Sequence, residues 1–68
     1  MIFGLSEKDK YQITSWAFSY FMTQNVTIVE AVILAVKKVK PTKIAKDGSL
    51  KLSESTILEL QLRIKSML

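Results

Sequence analysis

The stretch Thr27-Ile28-Val29-Glu30-Ala31-Val32-Ile33-Leu34-Ala35-Val36-Lys37-Lys38-Val39-Lys40-Pro41 decides the architecture of this 68-residue chain. From Ile28 to Val36 only Glu30 is polar. The β-branched side chains of Ile28, Val29, Val32, Ile33, Val36 and Val39 would suit a buried strand. Local signals favour a helix instead. Thr27 with Glu30 three residues on has the form of a capping box, in which each side chain satisfies the other's free backbone N–H. Ala31 and Ala35 are strong helix formers. Lys37, Lys38 and Lys40 complement the negative end of a helix dipole, and Pro41 stops the helix. The reading is a helix over about 27–40.

Toward the N-terminus, Ser6 is a good N-cap, followed by Glu7 and Asp9 at the positive end of a second dipole. The helix it opens runs over about 6–23. Its polar residues Lys8, Gln12, Ser15, Ser19 and Thr23 recur every three or four positions, so they share one narrow stripe. Tyr11, Ile13, Trp16, Ala17, Phe18, Tyr20, Phe21 and Met22 fill most of the remaining circumference. An ordinary surface helix carries a narrow apolar stripe; here the polar stripe is the narrow one, so cover on nearly all sides is expected. Gln24-Asn25-Val26 reads as a connector.

Toward the C-terminus, Thr42-Lys43-Ile44-Ala45-Lys46-Asp47-Gly48-Ser49-Leu50-Lys51-Leu52 carries the Asp-Gly signal of a β-hairpin over about 42–52. A three-residue loop, Lys46-Asp47-Gly48 with Gly48 left-handed, sets Ile44 opposite Leu50 and Thr42 opposite Leu52. That register places Lys43 and Lys51 together on the other face. Ser53 or Ser55 can cap a last helix over about 53–67, with Ile57, Leu60, Ile64, Met67 and Leu68 as its apolar face and Leu58 and Leu62 offset to one side. The run Leu58-Glu59-Leu60-Gln61-Leu62-Arg63-Ile64-Lys65 also alternates as a strand would. Its residues are good helix formers, which favours the helix.

The expected fold is therefore mainly α, of the α+β kind: helix, helix, short β-hairpin, helix in a small single domain spanning 1–68. At this size hydrophobic gain and chain entropy nearly cancel, and small domains escape by disulfides, metals or association. The chain has no cysteine and no histidine, while 49% of its residues are hydrophobic. Association is the device left, so a homo-oligomer is expected, with an intertwined or packed homodimer favoured. Tyr11, Trp16, Phe18, Tyr20 and Phe21 on the first helix and Val32 and Val36 on the second are the expected interface. All six aromatic residues, Phe3 included, lie within the first twenty-one positions.

The same composition argues against catalysis. Without histidine and cysteine the commonest general base, the thiol nucleophile and the usual transition-metal ligands are missing. Two glycines, Gly4 and Gly48, cannot build a phosphate-cradling loop. No catalytic residue, cofactor, metal or small-molecule substrate is expected. Gln24, Asn25 and Glu30 interrupt the only long apolar run, so no membrane span is expected. Met1-Ile2-Phe3-Gly4-Leu5 lacks a basic leader, which makes a cytoplasmic location the expectation.

Six of the ten cationic residues, Lys37, Lys38, Lys40, Lys43, Lys46 and Lys51, fall within fifteen positions that hold one acid, Asp47. Such a cluster either meets something anionic or keeps a connector solvated. Lysines on a hairpin can track a nucleic-acid backbone without reading sequence, and the absence of arginine among them disfavours readout of guanine edges. Two functional expectations result. The first is a non-enzymatic protein–protein interaction module, of adaptor or inhibitor type, acting as a homo-oligomer. The alternative is a sequence-nonspecific nucleic-acid-binding protein that uses the lysines of 37–51.

Overall fold

Side-chain caps fix where each helix of this chain begins. In the computed structural model, which describes residues 5–68, Ser6 accepts the backbone N–H of Asp9 at 3.1 Å and α1 follows as Glu7–Gln24. Asn25, at φ 51°, takes the left-handed conformation that ends the helix. Thr27 and Glu30 form the full capping box, with Thr27 Oγ1 accepting from Glu30 N at 3.1 Å and Glu30 Oε1 accepting from Thr27 N at 3.2 Å. It opens α2, Ile28–Val39. Ser53 accepts the N–H of Thr56 at 3.3 Å and opens α3, Glu54–Met67. The chain is thus a mostly helical small domain. Phe3 and the expectation drawn from Met1–Gly4 lie outside the described residues.

The expected hairpin shrinks to a single antiparallel bridge, Ile44 to Leu50, and there is no strand among the described residues. That pair is the one the three-residue loop sets, and Gly48 sits at φ 88°, where a side chain would be strained. No bridge joins Thr42 to Leu52. Pro41 starts a 3₁₀ turn over Pro41–Lys43, in which Lys43 N–H donates to Lys40 O at 2.9 Å and Ile44 N–H to Pro41 O at 3.1 Å. One arm is therefore consumed by a turn and the other by the Ser53 cap three residues after Leu50. Asp47 Oδ1 accepts from Ser49 N at 3.0 Å and closes the loop tip.

The core is one cluster drawn from all three helices and from Leu5 just before α1: Leu5, Ile13 and Ala17 with Ala31, Val32, Ala35, Val36, Leu60 and Ile64. Small side chains at Ala17, Ala31 and Ala35, all fully buried, let α1 and α2 approach closely. Tyr20, Phe21, Ile44, Leu50 and Leu52 pack around the cluster as a half-buried rim. Thr14 is buried too, and its hydroxyl donates to Lys10 O at 2.7 Å. The radius of gyration is 11.0 Å, about what a compact domain of this length has. The three helices close on this core within one chain.

Candidate interaction surfaces

The polar stripe of α1 lies where its spacing puts it: Lys8, Gln12, Ser15, Ser19 and Thr23 are all exposed, opposite Ile13 and Ala17. The aromatic residues divide. Phe18, Tyr20 and Phe21 are half-buried, whereas Tyr11 is 63% and Trp16 42% exposed. Trp16 stacks at a tilt on Tyr20, with ring centroids 5.9 Å apart, and the Lys38 ammonium stands 5.0 Å from its ring centroid. Val32 and Val36 are fully buried inside the single chain, so in this fold they belong to its core.

The lysine segment is also divided. Lys38 covers Trp16, and Lys40 Nζ lies 3.6 Å from Asp9 Oδ2, tying the end of α2 to the start of α1. Lys43 is half-buried, and its carbonyl accepts the N–H of Lys51 at 2.7 Å beside the Ile44–Leu50 bridge. Lys37, Lys46 and Lys51 are exposed. Two of the six ammonium groups therefore already serve contacts within the protomer.

A charge clamp joins α1 to α3. Its Glu7–Lys10 and Glu59–Arg63 pairs have helical spacings visible in the sequence, whereas the pairs that cross between the helices join residues about fifty apart and leave no sequence signal. Lys10 Nζ reaches Glu59 at 3.1 Å and Glu7 at 3.6 Å; Arg63 Nη2 reaches Glu59 at 2.7 Å and Glu7 at 3.1 Å. The Lys10 hydrogen bond, and then that of Arg63, hold the Glu59 carboxyl below the ordinary glutamate range. A carboxylate whose folded pKa is lowered contributes stability above its unfolded pKa and loses it as pH falls through the folded value. Melting temperature should therefore drop as pH passes below the ordinary glutamate range. In Glu59→Gln the drop should be smaller but still present, because Asp47, lowered by its hydrogen bonds from Ser49, titrates in the same direction. Thermal melts at neutral and acid pH check this; an equal drop in both proteins would show that the clamp contributes nothing.

Between α1 and α3 a shallow cleft of about 260 Å³ is lined by Tyr11, Thr14, Ser15, Arg63, Ser66 and Met67. It falls below the range of small-molecule sites, and its one guanidinium is already engaged by Glu7 and Glu59. No group of three or more acidic residues converges to hold a metal among the described residues. No helix among them is long and apolar enough to cross a membrane.

Of the large apolar side chains left in solvent, which include Tyr11, Trp16 and Met22 on α1, two stand one turn apart on α3. Leu58 is 57% and Leu62 63% exposed, while Leu60 and Ile64 of the same helix are fully buried. At 3.6 residues per turn Leu62 stands opposite the midpoint of Leu60 and Ile64. The alternation of 58–65 reflects two opposite helix faces, and the offset of Leu58 and Leu62 from the core face is the sequence signal that points to them. Comparison with protein-family models, with curated proteins and with solved structures finds no match for the chain.

Proposed function

We propose that this chain is a non-enzymatic protein–protein interaction module that works as a homo-oligomer, a packed dimer, in the cytoplasm. The observation that carries the reading is the Leu58–Leu62 pair of α3, exposed on the face opposite a core that is already complete. Single exposed apolar residues are ordinary on a protein surface. Two leucines one turn apart, on a helix whose other face satisfies the protomer, are surface a partner can cover. Tyr11 and Trp16 add aromatic anchors of the kind interfaces favour. A packed dimer suits a protomer that closes on itself better than an intertwined one.

The nucleic-acid alternative draws on fewer groups than the lysine count suggests, because Lys38 and Lys40 have partners on α1. Lys37, Lys43, Lys46 and Lys51, of which Lys43 is half-buried, would give weak backbone binding with a shallow salt dependence. Sedimentation equilibrium at micromolar concentration, with duplex binding measured in parallel at about 50 mM salt, separates the two. A concentration-dependent dimer without duplex affinity is the expected outcome. A folded monomer that binds duplex, and loses it on charge reversal at Lys46 and Lys51, would overturn the proposal in favour of the alternative.

A further inference from the structure

The outer face of α3 carries opposite charges at its two ends, flanking the exposed leucines. Glu54 and Lys65 lie on the same side of that helix as Leu58 and Leu62, and all four are exposed. Neither Glu54 nor Lys65 forms an ion pair among the described residues, although Glu7, Asp9, Lys10, Lys40, Glu59 and Arg63 all do. Glu54 and Lys65 are separated by eleven residues, about three turns, and Leu58 and Leu62 by one turn, so the four share a continuous stripe. The two pairs also share a midpoint, at residue 59 or 60.

That coincidence is what a two-fold interface requires. Across an isologous contact residue i meets residue j and residue j meets residue i. When two copies of α3 run antiparallel about an axis beside residue 60, Leu58 of each meets Leu62 of the other. The same rotation keeps each flank of the helix facing the same flank of its partner. Glu54 of each copy therefore meets Lys65 of the other, and on the opposite flank Ser55 meets Ser66, so no like charges are opposed. A parallel two-fold arrangement would instead turn each flank toward the opposite flank of the partner, setting Glu54 against Ser55 and Lys65 against Ser66, so that neither charge meets an opposite one. The geometry points to a second copy of this chain as the occupant of the α3 outer face, in the antiparallel register Leu58–Leu62 and Glu54–Lys65. This assignment rests on the homo-oligomer reading and adds to it the face and the register.

Charge exchange on the full chain tests it, read by sedimentation equilibrium with circular dichroism as the folding control. Glu54→Lys and Lys65→Glu should each weaken the dimer about tenfold, since each turns two attractive contacts into two repulsive ones. The double variant E54K/K65E should return to within about threefold of the original affinity. It opposes the helix dipole at both ends, so a recovery cannot come from a more stable α3. Leu62→Lys should give a helical monomer. A dimer that ignores all of these substitutions would overturn the α3 face and leave the homo-oligomer reading standing. Weakened single variants without recovery in the double variant would overturn the antiparallel register. A native chain that stays monomeric would overturn both the assignment and the reading beneath it.

Discussion

Leu60→Ala should destabilise the protomer by about 3 kcal/mol, as removal of a fully buried leucine from a packed core does. Leu60 has no exposure and belongs to the cluster that joins α3 to α1 and α2. Leu62→Ala, two residues away and 63% exposed, should stay within about 0.5 kcal/mol. A domain of this length has roughly 3–10 kcal/mol in all, so Leu60→Ala should leave a marginally folded protein. Denaturant unfolding followed by circular dichroism, at a concentration low enough to keep the chain monomeric, gives both values. Equal losses at Leu60 and Leu62 would contradict the helical reading of 58–65, because a strand would place the two side chains on one face.

Ala35→Leu should be the next most damaging change, at about 2 kcal/mol for forcing three extra carbons into an occupied space. Ala35 lies at the middle of the buried face of α2, between Val32 and Val36, and Ala31 and Ala17 are buried in the same cluster. Small residues at these positions set how near the axes of α1 and α2 can come. A larger side chain must push the helices apart and so also loosens Ile13 and Val36. The same unfolding experiment measures this, and an unchanged or raised midpoint would show that the space beside Ala35 is slack. The exposed helix position Ser19 supplies the control: Ser19→Leu adds similar bulk without touching the core.

The contrast between these substitutions shows where sequence reading reaches and where it stops. The starts of α1 and α2 at Ser6 and Thr27 are legible because each cap bonds a backbone group three residues away, whereas for α3 the sequence leaves Ser53 and Ser55 open and the structure selects Ser53. The Ile44–Leu50 pair and the positive φ of Gly48 are legible for the same reason, since the loop between them is short. The hairpin arms are not, because whether Thr42 pairs with Leu52 depends on what Pro41 and Ser53 do to the flanking backbone. The interface expected from Val32 and Val36 follows from their hydrophobicity, and hydrophobicity does not say which surface covers them. The roles of Lys38 and Lys40 need Trp16 and Asp9 to be close in space, more than twenty residues away along the chain.

Caps and turns bonded within a few residues make the helix starts and the turn at Gly48 readable along the chain, while the apolar runs of 28–36 and 58–65 also fit strands. The lysine concentration between 37 and 51 is plain composition. Only the tertiary structure decided which apolar faces meet, that Leu60 and Ile64 go inward and Leu58 and Leu62 outward, and that Glu59 holds both Lys10 and Arg63. The physical reason is that hydrogen bonds of caps and turns are fixed by local geometry. Burial depends on the whole chain competing for one small core, and a helix with apolar residues on two faces can satisfy that core with only one of them.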